Sequence, residues 1–117
     1  MANVLRMADL AADKKAGEIK AYDVRGMTLI ADVLIICTAT SEPQLKAIYA
    51  AVRDGMKEVG VAPYRNEGVF SGGWILLDFS TVIFHIFREQ ARAFYDLDGM
   101  WADAPEIPLE LDPTSPK

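Results

Sequence analysis

Few side chains in this sequence are equipped for chemistry. His85 is the only histidine and Cys37 the only cysteine. A zinc site built on that pair would need two carboxylates besides, an uncommon donor set for a structural site. The two could instead form a thiol nucleophile with its base. Cys37, however, closes an apolar run, where a free cysteine is normally an inert small hydrophobe. His85 is therefore read as an interface or hydrogen-bonding residue. Nucleotidyl transfer would need carboxylates close enough to share Mg²⁺, usually beside a Gly-rich backbone for the phosphates. The sole Asp-x-Asp is Asp96-Leu97-Asp98, remote in sequence from the Thr40-Ser41 helix start, and Asp32 has no carboxylate two residues to either side. Asp96 and Asp98 are expected to be solvated turn residues. Gly72-Gly73 is a lone pair in a turn and matches neither a P-loop nor a dinucleotide fingerprint. The expectation is a protein without catalytic residues, cofactor or metal.

The elements that must position these residues fit one domain. The 117 residues suffice to bury a core, with 51% apolar and 25% charged residues. A formal net charge of −5 and the lack of a Lys/Arg cluster argue against binding driven by phosphate neutralisation. A basic protein is the expected partner, with little direct RNA contact. One cysteine allows no intrachain disulfide, which fits a reducing cytoplasm. The first ten residues mix Asn3, Arg6 and Asp9 with apolar ones and contain no signal-peptide core. No apolar run approaches the roughly 20 residues of a membrane helix, so no membrane association is expected.

Residues 1–15 carry Val4, Met7 and Ala11 on one stripe and predict an amphipathic helix that Gly17 stops. Residues 19–24 predict a strand, and the β-branched run 32–37 a central strand covered on both sides. Ser41-Glu42-Pro43-Gln44 is a capping box with proline in the first turn. Leu45, Ile48, Tyr49, Val52 and Met56 follow at helical spacing, with Gly60 beyond, so a helix is predicted over 42–59. A short strand over 61–65 would complete a βαβ unit with a right-handed crossover. Strands 74–79 and 81–87 form a hairpin near Ser80, and 89–95 a last short helix. From residue 105 the prolines at 105, 108, 113 and 116 among acidic and small residues predict an extended, mobile tail (105–117) behind a domain of 1–104.

Side chains alternate across a strand. Ile75, Leu77 and Phe79 therefore share a side with Val82, Phe84 and Ile86, a wholly apolar core face. The other side carries Trp74, Leu76 and Asp78 beside Thr81, Ile83, His85 and Phe87, and the segment 94–101 adds Tyr95, Leu97 and Trp101. Large aromatics interleaved with single polar groups suit a protein-binding surface. Trp74, Leu76, Ile83, His85 and Phe87 are the candidate contacts, Tyr95, Leu97 and Trp101 surround them, and Asp78 would pair with a basic group of the partner. Two alternatives stand beside this. Tyr95 and Trp101 could cover the face from within the chain, or a second copy could cover it as a homodimer.

The same residues carry a family resemblance. Ala31-Asp32-Val33-Leu34-Ile35-Ile36-Cys37 followed by Thr40-Ser41 resembles the A-D-(hydrophobic)-C-(small)-(small)-T-S pattern of the ribosomal silencing factor, or Iojap-like, family. Trp74-Ile75-Leu76-Leu77-Asp78, Val82-Ile83-Phe84-His85-Ile86-Phe87, Arg92, and Phe94-Tyr95-Asp96-Leu97 to Trp101 resemble its later motifs. The match spans most of residues 1–104. The turn Phe79-Ser80-Thr81 departs from the family's Gly-Asp, and Thr38-Ala39-Thr40-Ser41 lacks its glycine. The resemblance implies a single α/β domain with a mixed sheet of about five strands flanked by helices, nucleotidyltransferase-like in topology but without that activity. It also implies docking on the large ribosomal subunit through ribosomal protein L-fourteen, which blocks the small subunit and lowers translation under nutrient limitation. A nucleotide-handling enzyme on the same scaffold is the alternative.

Overall fold

The computed structural model describes residues 2–109. Helix α1 (Ala2–Asp13) leads into strand β1 (Gly17–Asp23), followed by β2 (Val33–Ala39), α2 (Glu42–Lys57), β3 (Arg65–Val69), one 3₁₀ turn (Phe70–Gly72), β4 (Trp74–Asp78), β5 (Val82–Arg88), α3 (Glu89–Tyr95) and α4 (Leu97–Met100). The strands form one mixed sheet in the order β1-β2-β5-β4-β3, with β2 and β5 parallel and the other neighbours antiparallel. This is the expected single α/β domain.

β2 is an interior strand, between the β1 edge and the middle strand β5, and all seven of its residues are buried. Its even pattern of Val, Leu and Ile suits a strand covered on both faces. The capping box behaves largely as its chemistry requires. Ser41 Oγ accepts the Gln44 N–H at 3.1 Å, while Gln44 Oε1 accepts the N–H of Thr40 at 2.6 Å rather than that of Ser41. The Gln44 amide also donates to the carbonyls of Lys14 and Lys15, which ties the start of α2 to the end of α1. Helix α1 is stopped earlier than expected: Lys15, not Gly17, takes the left-handed conformation at φ 64° and Gly17 already belongs to β1.

Two expectations about the middle of the chain are corrected. Residues 61–64 are not strand; β3 is Arg65–Val69. It runs in the same direction as β2 but lies at the far edge, with β5 and β4 between them, so β2-α2-β3 is not a unit of adjacent strands. The sheet edge explains why the strand escaped a hydrophobic pattern: all five residues of β3 are exposed. Gly68 is needed there, because at φ 95° it lies against the Trp74 carbonyl, where a Cβ would collide.

The sheet has two apolar faces. Under α1 and α2, Ile35, Cys37, Leu77, Phe84 and Ile86 pack with Met7, Leu45, Ile48 and Val52. On the opposite face Tyr22, Leu34, Ile36, Ile83 and Phe87 meet Leu97, Trp101 and Ala104. The chain then turns around the β1 edge. The Asp23 N–H donates to the Pro105 carbonyl and the Ile107 N–H to the Ala21 carbonyl, at 2.8 and 2.7 Å. Ile107 and Leu109 reach the first core. Residues 105–109 are thus tied to the sheet rather than free, and 110–117, also expected to be mobile, lie outside the described residues.

Candidate functional site

Strand alternation places Trp74, Leu76, Asp78, Ile83, His85 and Phe87 on one side of the β4–β5 hairpin, in register Trp74–Phe87, Leu76–His85 and Asp78–Ile83. The grouping matches the sequence expectation, but the expected exposure does not hold across it. Phe87 is 0% exposed and His85 7%, and Ile83 is buried with them. Their cover comes from the same chain: Leu97 and Trp101 lie over Ile83 and Phe87 as part of the second core. Helix α3 and α4 therefore roof the β1, β2 and β5 side of this face. The expectation that Ile83, His85 and Phe87 meet solvent is corrected; they support the surface from below.

The β4–β3 half is uncovered. Trp74 and Leu76 are half-buried, and β3 extends the row, because Val69 lies opposite Trp74, Glu67 opposite Leu76, and Arg65 opposite Asp78. Val69 is 63% exposed. At one end stand Tyr95 and Phe94, the latter 81% exposed. Leu97 and Trp101 are half-buried at the boundary between roof and opening. The sequence reading missed the β3 row, since a strand of Arg, Asn, Glu, Gly and Val carries no period-two apolar signal. Phe94 belongs to the aromatic segment 94–101 that the sequence reading already placed beside this face.

Trp74 is held in one pose. Its ring stacks on Phe87 at 5.3 Å and on His85 at 5.9 Å, and packs tilted on Tyr95 at 4.7 Å. Its indole N–H donates to His85 Nδ1 at 3.1 Å, so the neutral imidazole carries its proton on Nε2. Burial holds the His85 pKa down at about 4, because a charged imidazolium is costly away from water. His85 is thus a neutral acceptor that orients the tryptophan.

Asp78 is also reassigned. Its carboxylate accepts from Arg65 Nε at 3.1 Å and from the Ser80 N–H at 2.8 Å. It joins the edge strand to a hairpin turn whose Ser80 sits at φ 75°. The basic group that it pairs with is within the chain.

The roof is fastened by a polar network that the sequence reading did not assign. Arg92 is buried. It donates bidentately to Asp98 at 2.9 and 3.1 Å, and to the Glu18 carbonyl and Thr38 Oγ1, both at 2.7 Å. Tyr22 donates to the same carboxylate at 2.8 Å. The hydrogen bonds from Arg92 hold the Asp98 carboxyl below the usual carboxylate range, while burial, then Asp98, push the Tyr22 hydroxyl up to about 12. Asp98 is a structural anion and not a solvated turn residue. Asp96, at φ 48°, caps α4 by accepting the Gly99 N–H at 3.1 Å.

Cys37 and His85 cannot act together in this arrangement. Cys37 faces the first core and His85 the other side of the sheet, and burial pushes the thiol up to about 12. Among the described residues, no three His, Cys, Asp or Glu side chains are placed to hold a metal ion, and no helix is long and apolar enough to cross a membrane.

Comparison with known proteins agrees with this architecture. The family described as "Ribosomal silencing factor during starvation" matches residues 2–117. The ribosomal silencing factor RsfS of Halalkalibacterium halodurans is 39% identical over 98 residues, 84% of each chain. RsfS of Bacillus subtilis is 35% identical over 110 residues, 93% of each chain. A crystal structure of a protein from Chromobacterium violaceum superposes with a TM-score of 0.83 at 26% identity, covering 98% of this chain and 95% of that one. A match over nearly the whole sequence, and relatives of this likeness, establish that the chain belongs to the ribosomal silencing factor family.

Proposed function

We propose that this protein represses translation by docking on the large ribosomal subunit, through ribosomal protein L-fourteen, so that the small subunit cannot join. It acts by occupancy rather than by catalysis, in the cytoplasm, and lowers translation when nutrients are limiting. The observation that carries this reading is the uncovered β4–β3 half of the second sheet face, where Trp74, Leu76 and Val69 line up beside Tyr95 and Phe94. Aromatic and aliphatic anchors on a rigid sheet are the usual core of a protein interface. A net charge of −5 supports a basic protein surface as the partner. Relatives that are ribosomal silencing factors support a ribosomal setting.

Co-sedimentation with isolated large subunits is the direct test. The wild-type protein should pellet with them and reduce their reassociation with small subunits. Trp74→Ala should weaken binding by about 2 kcal/mol or more if Trp74 is a central anchor. Full binding by that variant and by Val69→Asp would remove the assignment of the face.

A further inference from the structure

Beside the open face lies a concavity of about 500 Å³, between the 3₁₀ turn and α3, lined by Ser71, Gly72, Gly73, Arg88, Gln90 and the two aromatics of α3. Arg88 is its only charged side chain among the described residues. The other five arginines, at 6, 25, 53, 65 and 92, each have a carboxylate within ion-pair distance. The Arg88 guanidinium has neither an ion pair nor a side-chain hydrogen bond among the described residues. The base of its side chain is nonetheless held in place. The Arg88 backbone N–H donates to the Gly73 carbonyl at 2.8 Å, and a Cβ at Gly73 would lie only 3.2 Å from Arg88 Cγ. The side chain's stem therefore packs on bare backbone.

Acidic groups are sorted away from this hollow. Glu89, next in the chain, lines a separate cleft with Glu18, Asp96 and Asp98. An unpaired cation kept ready on the docking side of an acidic protein calls for an anion. The neutral donors around it, the Ser71 hydroxyl and the Gln90 amide, suit a group with several acceptor oxygens. The exposed Phe94 ring at the rim offers a stacking surface of the kind that receives an unpaired base.

We infer that this concavity receives one phosphodiester of ribosomal RNA, with Arg88 as its cation and Phe94 against the neighbouring nucleotide. The inference rests on the docking reading above and adds to it a single RNA contact at the edge of a protein-protein interface.

The experiment measures binding to isolated large subunits across a series of KCl concentrations at fixed Mg²⁺, for the wild type and for Arg88→Gln. Glutamine keeps the Cβ and Cγ that lie on Gly73, and thermal melting should be unchanged because no partner among the described residues is lost. Loss of one charge-assisted phosphate contact should weaken binding roughly tenfold at low salt. It should also flatten the plot of log affinity against log salt by about 0.7 to 0.9, the share of one phosphate. Weaker binding with an unchanged slope would mean a carboxylate of a protein partner and would overturn the RNA assignment, as would unchanged affinity. A wild type that does not bind large subunits at all would defeat the docking reading and this inference with it, whereas a binding wild type matched by Arg88→Gln defeats the inference alone.

Discussion

A residue on the second sheet face can be aromatic for either of two reasons, and Trp74 and Phe87 illustrate them. They stack at 5.3 Å, but Phe87 is sealed and Trp74 is half-open. Phe87→Ala should therefore cost about 3 to 5 kcal/mol of folding stability through a core cavity, which denaturant titration would detect. Its effect on docking would follow from the damaged support. Val69→Asp should leave stability nearly unchanged and still weaken docking. His85 adds a pH dependence with a definite sign. In the folded protein its pKa is held at about 4, and in the unfolded chain it returns to the ordinary 6.5. The unfolded state thus binds a proton first as pH falls, and stability is lost between those values. From pH 7.5 to pH 5 the loss should be about 2 kcal/mol, and His85→Gln should abolish most of it. Equal unfolding midpoints for the wild type at both pH values would refute the buried neutral imidazole. The sequence alone could place His85 on the face, because alternation is local. It could not reveal the depth of burial, which depends on Trp74 and Phe87 stacking against the imidazole.

At the scale of elements, the legible parts are those whose own residues state their partner. The capping box and apolar stripe of α2, the unbroken run of β2 and the alternation of β4 and β5 were all readable. β3 was not, because an exposed edge strand has no need of buried side chains. Of the roof, α3 was readable as the short helix over 89–95, with cover by Tyr95 and Trp101 standing as an alternative, but α4 was not readable. A helix of four residues, Leu97–Met100, has too few turns to show a periodicity, and it is held by charge instead. Arg92 and Asp98 fasten it to β1 and β2, with the guanidinium nearly enclosed and the carboxylate about two-thirds covered. Asp98→Asn would leave a buried arginine without its counter-charge. It should cost about 2 to 3 kcal/mol, somewhat less than a fully enclosed pair because water still reaches the carboxylate. The folded pKa of Asp98 is depressed, so this contribution is present at neutral pH and is lost on acidification below the ordinary carboxylate range. Because the roof carries Trp101, loss of the ion pair should also alter tryptophan fluorescence. A variant with unchanged stability and emission at pH 7 would mean that the network is ornamental to the fold.

For the whole molecule, the two edges of the sheet are treated differently. The β1 edge is closed by residues 105–107, whose backbone bonds to Ala21 and Asp23 prolong the sheet before Ile107 and Leu109 reach the first core. The β3 edge is left open and borders the face proposed to dock. An unpaired edge strand is a template for association. Closing β1 confines such pairing to the side where a partner is wanted. Truncation after Ala104 separates these roles. It removes two partly buried aliphatic side chains and two backbone hydrogen bonds, and should lower folding stability by about 2 kcal/mol. It should also make the protein associate as concentration rises, which light scattering at two concentrations would show. Binding to large subunits, measured below the concentration of self-association, should persist, because Trp74, Leu76 and Val69 lie across the sheet from the cut. Loss of docking without loss of stability would place residues 105–117 in the interface, and would mean that the surface bound by the ribosome wraps around the β1 edge.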